Sequence, residues 1–224
     1  MCGRASITKT EKVVEDRFGS VFAKGADGTT GYAMSTNICP TEPIAVITNT
    51  QPHSIKMYRW GLIPPWAKDV RIGYKTFNAR AETLLQKPAF KTAAEHRRCL
   101  VLMDSFYEWK DNNGRKLPYR ISLDGSSLFA VAGLWDTWHD PVTGINVHSC
   151  TVITHEPNTF MSSIHDRMPA ILAADQERLW IDAQLPTSAA MELLQPMEGL
   201  QLIAEQIDPL TGRADDRPTQ LSLF

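Results

Sequence analysis

The pattern of apolar and polar residues predicts one helix near the start of the chain, followed mostly by short strands. Thr8-Lys9-Thr10-Glu11 has the form of a helix capping box, and Gly19 is a typical helix end. The residues between them place one apolar face on a helix: Val13, Val14 and Phe18. Residues 20–35 are polar and rich in glycine, which indicates a loop.

Two short strands and a rigid loop are predicted next. Residues 44–47 are apolar, and residues 55–60 alternate with period two, as a paired strand does. Residues 61–66 carry two prolines among apolar residues, which favours a rigid loop over the interior of a helix or strand.

Strands dominate the second half of the chain, where turn signals such as Asn113-Gly114 and Asp124-Gly125 separate apolar segments. The predicted strands are 99–103, 106–110, 119–122, 128–135, 147–153 and 201–204. The predicted helices are 81–86, 88–95, 158–164, 175–180 and one that begins at Ser188. The sequence therefore predicts an α+β fold. We expect a single domain over residues 1–207, with an antiparallel β-sheet or barrel core and peripheral helices, and a polar C-terminal tail over residues 208–224.

Composition indicates an ordinary globular chain. It has 224 residues, of which 43% are hydrophobic and 21% charged, and its formal net charge is −2. No apolar run approaches the ~20 residues of a membrane span, and the N-terminus lacks a signal peptide, so we expect a cytoplasmic protein without membrane contact. The net charge gives no global sign of a nucleic-acid partner, so any such binding has to use a local basic patch.

The four cysteines are far apart and form no Cys-x-x-Cys pair, which argues against both a zinc site and a disulfide framework. Cys39, Cys99 and Cys150 lie among apolar neighbours and are predicted core residues. Cys2 differs from them. Met1 is usually removed when the second residue is small, and its removal leaves Cys2 with a free α-amine beside its thiol.

Such a 1,2-aminothiol can condense with an aldehyde through the amine and then close a five-membered thiazolidine through the thiol. The reference pKa values, about 7.7–8.0 for an α-amine and about 8.5 for a thiol, leave useful fractions of both nucleophiles near neutral pH. Taken alone, Cys2 is better explained as a small residue near a frayed terminus.

Three further segments place polar residues of catalytic type among apolar neighbours. Asn78 opens the segment Asn78-Ala79-Arg80-Ala81-Glu82, where helix capping is the simpler interpretation. Glu108 lies on a predicted strand and shares its face with Phe106 and Lys110, a setting that can raise the pKa of a carboxyl and suit it to acid–base catalysis; a solvated edge residue is the alternative. His165 lies between an isoleucine and a charged pair, and is either a structural histidine or a proton carrier.

Taken together, these segments resemble the SRAP family, the SOS response-associated peptidases or abasic site processing proteins. The matching segments occur in the family's order from residue 1 to about 172. They are Met1-Cys2-Gly3-Arg4, Asn37 with Pro40, Arg59-Trp60-Gly61-Leu62-Ile63-Pro64-Pro65-Trp66-Ala67, Asn78-Ala79-Arg80-Ala81-Glu82, Arg98-Cys99-Leu100, Phe106-Tyr107-Glu108-Trp109 and His165-Asp166-Arg167-Met168-Pro169. One departure is Leu102-Met103-Asp104-Ser105, where the family commonly has Pro-Ala-x-Gly before its aromatic pair.

The resemblance implies binding to single-stranded DNA that carries an abasic site, and covalent capture of that site by Cys2. The roles that it implies in catalysis are Cys2 as nucleophile, Asn78 as its orienting group, Glu108 as proton shuttle and His165 as assistant in sugar ring opening. The residues that it implies in DNA binding are Arg4, Pro40, Trp60, Arg80, Trp109 and Arg167, with Arg80 and Arg167 on phosphates and the two tryptophans on bases. It implies no cofactor and no metal, a monomer, and replication or repair proteins as further partners.

Two other functions stay open at this point. Met-Cys-Gly also begins N-terminal-nucleophile amidohydrolases, in which Cys2 attacks an amide and the α-amine is the base. That interpretation leaves the Arg-Trp-Gly-Leu-Ile-Pro and His-Asp-Arg-Met-Pro segments unexplained. A non-catalytic single-strand binding module is the other, and it predicts that Cys2→Ala leaves all activity intact. The peptidase name fits removal of Met1, and we do not expect proteolysis of other proteins.

Overall fold

The segments predicted as strands form two sheets in the computed structural model, which describes residues 2–124 and 127–207. The described strands before residue 100 are β1 (Ala5–Ile7), β2 (Val21–Phe22), β3 (Ser35–Ile38), β4 (Pro43–Thr48), β5 (Gln51–Trp60), β6 (Asn78–Arg80) and the start of β7 (Arg98–Met103). The later strands are β8 (Ser105–Asn112), β9 (Arg115–Leu123), β10 (Phe129–His139), β11 (Asn146–His155), β12 (Met168–Pro169) and β13 (Leu202–Gln206).

The larger sheet runs in the order β12-β11-β10-β7-β4-β5-β2. β11 also pairs in parallel with the end of β5, through Ser149↔Arg59 and Cys150↔Trp60. This pairing closes β11, β10, β7, β4 and β5 into a barrel, which removes the exposed edges that an open sheet leaves. The barrel interior is apolar because alternate residues of each strand point inward; Ile44, Val101 and Val131 are fully buried there.

The smaller sheet has the order β13-β9-β8-β1-β3 and carries the N-terminus in its interior. Ala5 of β1 pairs with Ile38 of β3 on one side and with Phe106 of β8 on the other. Only Asp104 separates β7 of the barrel from β8 of the smaller sheet. The two sheets are therefore joined directly beside the N-terminal strand.

The described helices are short and lie around the sheets. They are α1 (Glu11–Phe18), α2 (Lys91–His96), α3 (Thr159–Ser162), α4 (Ala174–Trp180) and α5 (Thr187–Glu192). Two 3-10 helices, Val70–Lys75 and Ala81–Thr83, complete them. The α-helix predicted over 81–86 is thus wrong in type, since only a 3-10 turn forms there. None of the helices in residues 2–124 and 127–207 is long and apolar enough to cross a membrane.

The predicted capping box is also wrong. The N-cap of α1 is Thr10, and its side chain makes no capping hydrogen bond. Thr8 instead donates from its backbone N and its Oγ1 to Asp104 Oδ2, each at 2.6 Å. The end of the helix at Gly19 is confirmed, with φ +58° in the left-handed region.

The α+β class and the antiparallel core with peripheral helices are confirmed. Five of the described strands were not predicted, because none is longer than four residues and so none shows the alternating run that identifies a strand: β1, β2, β3, β6 and β12. One of them, β2, lies within the loop predicted over residues 20–35. The polar tail predicted over residues 208–224 lies outside the described residues, and the domain boundary at 207 stays a prediction.

Candidate active site at the N-terminal cysteine

Cys2 lies just before β1, in the interior of the molecule, and is 0% exposed. Its Sγ is 3.8 Å from the carbonyl oxygen of Arg4, toward which the thiol donates. Burial raises the pKa of the Cys2 thiol, and the negative charge of Glu108 raises it further. At neutral pH the thiol therefore stays protonated until a base takes its proton or a nearby positive charge stabilises the thiolate.

Asn78 fixes the backbone of Cys2. It begins β6, which runs parallel to β11 with Asn78 opposite Val152, so its side chain comes from the barrel side of the site. Its Nδ2 donates to the carbonyl oxygen of Cys2 at 2.7 Å. Its Oδ1 is buried and has no hydrogen-bond partner among the described residues, so one acceptor remains for a ligand.

Glu108 comes from the opposite side, on β8 of the smaller sheet, and is 1% exposed. Burial raises its pKa to about 7, because a charged carboxylate loses its hydration there. Near neutral pH the carboxyl is therefore divided between its acid and base forms, as a group that both delivers and accepts protons requires.

His165 lies between α3 and β12, with its Nε2 3.6 Å from Glu108 Oε2. Burial lowers the pKa of His165, so the neutral ring dominates at pH 7. Nδ1 lies 3.0 Å from the backbone N of Arg167, from which it accepts when the neutral ring carries its proton on Nε2, facing Glu108. It also lies 3.3 Å from the carbonyl oxygen of Arg167, to which it donates in the other tautomer. Once protonated at both nitrogens, the ring has a second partner in Asp166 Oδ1, 3.0 Å from Nδ1.

Arg167 holds this segment in place. It is 9% exposed, and its terminal nitrogens donate to both carboxylate oxygens of Glu82 at 2.8 and 2.9 Å. One of them also donates to the carbonyl oxygen of Thr154 at 2.7 Å. The hydrogen bonds from Arg167 lower the pKa of Glu82, and together with the bond to Thr154 they tie the His165 segment to the 3-10 helix after β6 and to β11. The phosphate role of Arg167 stays a prediction, and it requires this pair to open.

The other residues predicted for DNA binding are divided between surface and core. Arg80 is exposed, Pro40 and Trp109 are partly exposed, and the buried Arg4 stacks with its guanidinium carbon 5.5 Å from the Trp109 ring centroid. The prediction that Trp60 stacks on bases is wrong for this structure. Its ring is 0% exposed, and its Nε1 donates to the carbonyl oxygen of Phe77.

Trp66 is the exposed aromatic residue of the proline-rich loop, with 59% of its surface accessible, and sequence reasoning did not single it out. The loop is held rigidly at its start: Gly61 has φ +121°, and a Cβ there would lie 2.6 Å from the carbonyl oxygen of Gly73. The available signal was the pair of prolines directly before Trp66, because proline is mostly found at protein surfaces. Trp60, at the end of a strand, has no such neighbour.

No group of three or more His, Cys, Asp or Glu in residues 2–124 and 127–207 is arranged to hold a metal ion. The site brings polar groups from both sheets to one cysteine: the amide of Asn78 and the imidazole of His165 come from segments that adjoin β11 of the larger sheet, and the carboxyl of Glu108 comes from the smaller sheet.

Comparison with known proteins gives the family. The model of the family described as SOS response associated peptidase (SRAP) matches residues 1–213, and the chain belongs to this family. The abasic site processing protein YoaM of Bacillus subtilis is 41% identical over 226 residues, which cover 99% of this chain and 97% of that protein. The abasic site processing protein HMCES of Xenopus tropicalis is 38% identical over 165 residues, which cover 63% of this chain and 49% of that protein.

Solved structures share the fold. A protein from Bacteroides thetaiotaomicron is 26% identical, with a TM-score of 0.87 over 97% of both chains. A protein from Bordetella bronchiseptica, at 22% identity and a TM-score of 0.78, covers 92% of this chain and 100% of its own, and shows likeness of fold alone.

Proposed function

We propose that this protein processes abasic sites by binding single-stranded DNA and forming a thiazolidine between Cys2, made N-terminal by removal of Met1, and the ring-opened abasic deoxyribose. The observation that carries the proposal is the position of Glu108. A buried carboxyl with a pKa of about 7 lies close enough to Cys2 to raise the pKa of its thiol and 3.6 Å from His165. The names of the relatives, abasic site processing proteins, support the substrate.

The order of bond formation follows from the state of the thiol. Because burial and Glu108 keep the thiol protonated, the α-amine attacks the C1′ aldehyde first, giving a carbinolamine that loses water to an iminium ion. The positive charge of the iminium ion then favours ionisation of the thiol, and the thiol proton passes to the base form of Glu108. Sulfur adds to the same carbon and closes the ring. Aldehyde and aminothiol thus become thiazolidine and one water, without oxidation or reduction.

The neighbouring residues supply protons and position. The acid form of Glu108 protonates the departing hydroxyl of the carbinolamine, and the base form takes the thiol proton. The Nε2–H of neutral His165 assists opening of the sugar ring by donating to its oxygen. Asn78 holds the carbonyl oxygen of Cys2, so the amine and the thiol stay directed at one carbon.

The capture protects the strand. An abasic site breaks by β-elimination from its free aldehyde, and the thiazolidine removes that aldehyde. We further propose that Arg80 and Arg167 hold phosphates that flank the lesion, and that Arg4, Pro40 and Trp109 form the surface on which the adjoining nucleotides lie.

The test is incubation with uracil-containing single-stranded DNA after enzymatic removal of the uracil, followed by a denaturing gel. We expect a shifted band with the trimmed protein and none with Cys2→Ala. A protein with an uncleaved N-terminal tag should also give no band, because its amine is blocked. If the tagged protein crosslinks as well as the trimmed one, the thiazolidine mechanism is wrong.

Cys2→Ser is the matched control, because it keeps the amine and removes only the thiol. It should form an imine that a denaturing gel does not retain, and a permanent crosslink when borohydride is added. A borohydride-independent crosslink of normal yield with Cys2→Ser would exclude ring closure by sulfur. The amidohydrolase alternative predicts ammonia release from amides by the trimmed protein, and the binding-module alternative predicts no band at all.

A further inference from the structure

We propose that the tip of the β8–β9 hairpin, residues 110–116, is a cationic arm that binds the phosphodiester backbone of the bound strand on the side of the active site opposite Arg80. This inference rests on the proposed function, since it adds a contact surface for the same single-stranded DNA. Its two principal residues are Lys110 and Arg115, which the sequence analysis did not assign to DNA binding.

The tip projects beyond the sheet that carries it. Among the described residues, β1 pairs with β8 only at residues 105–106, and β13 pairs with β9 only at residues 119–123. The two strands of the hairpin continue to pair with each other as far as Asn112↔Arg115. The end of the hairpin is therefore open to solvent on both sides, and its residues from 111 to 116 are exposed.

The shape of the tip is fixed before any ligand binds. Asn113 and Gly114 have φ of 53° and 84°, the left-handed pair that makes a two-residue turn of type I′. The backbone N of Gly114 donates to Asp111 Oδ1 at 2.8 Å, and Asp111 Oδ2 pairs with Lys116 Nζ at 3.0 Å. A preorganised turn loses little entropy when it binds.

The charge of the tip is unbalanced. It carries Lys110, Arg115 and Lys116 against a single acid, Asp111, in a chain whose net charge is −2. Asp111 is already paired with Lys116, and neither Lys110 nor Arg115 has a carboxylate within 4.0 Å among the described residues. Two cations at a protruding tip, with no acid to balance them, match a polyanion.

The tip adjoins the active site. Side chains alternate along β8, so Lys110 follows Glu108 on the same face, about 7 Å along the strand. Arg115 lies opposite Asn112 and continues that face. Burial is the main cause of the lowered pKa of His165, and the positive charge of Lys116 contributes to it, so the potential of the tip reaches the catalytic residues.

The two sides of the site come from different sheets. Asn78 and Arg80 lie on β6, which pairs with β11 of the barrel, whereas Glu108 and the hairpin belong to the smaller sheet. Cys2 contacts the first side through Asn78 and is influenced by the charge of the second. A DNA strand whose abasic site reaches Cys2 therefore has Arg80 beside the nucleotides on one side of the lesion and the cationic tip beside those on the other.

The experiment measures binding separately from crosslinking, in a Cys2→Ala background with a fluorescent abasic oligonucleotide at several salt concentrations. We expect Lys110→Gln with Arg115→Gln to lower the slope of log K against log salt by about 1.4, since each phosphate contact to a single strand contributes about 0.7. At about 0.15 M salt the affinity should fall on the order of tenfold. Removing nucleotides from one flank of the oligonucleotide should abolish this difference, and removing them from the other flank should not.

The matched control is Lys24→Gln with Lys91→Gln, which removes the same charge from two exposed lysines elsewhere, one in a loop and one on α2. It should leave the slope unchanged. An unchanged slope in the hairpin variant, or an equal fall in the control, would overturn the proposal. At saturating abasic DNA, the hairpin variant with Cys2 intact should still crosslink to completion. If the protein with an unaltered hairpin gives no crosslink, the proposed function fails, whatever the hairpin slope shows.

Discussion

At the scale of single residues, burial raises the pKa of Glu108 to about 7, which suits its carboxyl to the proposed role of proton carrier. Glu108→Gln keeps the shape of the side chain but cannot exchange a proton, so crosslinking should slow by roughly 10²–10⁴-fold, the range typical of a lost acid–base group. The pH dependence should change as well. With a pKa of about 7, the base form increases as pH rises through 7 and the acid form decreases, so the wild-type rate should bend there and the Gln variant should lack that bend. Single-turnover time courses between about pH 5.5 and 8.5 measure both.

DNA affinity is the control for Glu108→Gln, since a carboxylate gives no favourable contact with phosphate. A variant that crosslinks at the wild-type rate would remove Glu108 from the mechanism.

Substitution of His165 should slow crosslinking less than substitution of Glu108, because the proposed mechanism uses His165 only to assist opening of the sugar ring. His165→Ala should slow crosslink formation less than Glu108→Gln does, and it should also slow reversal, since a group that catalyses one direction catalyses the other. The measurement is a chase of preformed crosslink with excess unlabelled abasic strand. Reversal at the wild-type rate would show that the ring opens without His165, and the Nε2–H directed at Glu108 would then have only a structural role.

The sequence predicted the burial effect on Glu108 better than the exposure of the aromatic residues. Glu108 on a face with Phe106 indicated a raised pKa, and that prediction is confirmed. Trp60 and Trp66 occur in the same motif, yet one is fully buried and the other mostly exposed. Their exposure depends on how the loop lies against Gly73 and β11, which are far from it along the chain.

At the scale of elements, the His165–Arg167 segment is attached by the Arg167–Glu82 pair to the 3-10 helix Ala81–Thr83, which follows β6. Two roles of Arg167 give opposite results for Glu82→Gln. If the pair positions His165, the substitution should slow crosslinking severalfold and leave DNA affinity unchanged. If Arg167 binds a phosphate, losing its carboxylate partner should free the guanidinium and tighten binding. The phosphate role proposed for Arg167 leads us to expect the second result, measured by anisotropy and by crosslinking rate on one abasic oligonucleotide.

Arg80 provides the comparison for that experiment, because it is exposed at the end of β6. Arg80→Ala should lower the salt slope by about 0.7 and weaken binding at limiting DNA, while crosslinking at saturating DNA survives. An unchanged slope would mean that the phosphate beside β6 is held by another residue.

Elements were predictable where their signal is local. Gly19 ends α1 as expected, because a left-handed C-cap needs only a glycine at the right place. The capping box failed because Thr8 has a better partner in Asp104, which lies 96 residues away along the chain. At Asn78 the sequence favoured a helix cap and not the strand β6, because the pairing of β6 with β11 depends on contacts that no local pattern contains.

At the scale of the whole molecule, the sequence predicted an antiparallel sheet or barrel core, and the barrel is confirmed, but the strands that close it could not be predicted. The parallel pairing of β5 with β11 joins residues about 90 positions apart, and alternation cannot reveal such partners. The joint between the two sheets was equally hidden. It falls at Asp104, which is fully buried.

Asp104 should be the residue on which the arrangement of the two sheets depends. Its carboxyl accepts hydrogen bonds from Ser6 Oγ and from the backbone and hydroxyl of Thr8, and its backbone N donates to the carbonyl oxygen of Ser6 at 2.9 Å. These contacts fix β1, which begins three residues after Cys2, against the junction of β7 and β8.

Asp104→Ala removes the common acceptor of three donors at the junction of the two sheets, so we expect a loss of about 2–4 kcal/mol in the free energy of unfolding. For a chain of this size that corresponds to a fall in Tm of about 5–12 °C. Crosslinking at 25 °C should slow as well, because β1 no longer holds Cys2 between Asn78 and Glu108. Asp104→Asn keeps one acceptor oxygen and should lie between Asp104→Ala and the wild type in both measurements, whereas Asp16→Ala removes an exposed carboxylate on α1 and should change neither. Asp104→Ala with the Tm and crosslinking rate of the wild type would show that the barrel and the smaller sheet hold the N-terminal strand without this carboxyl.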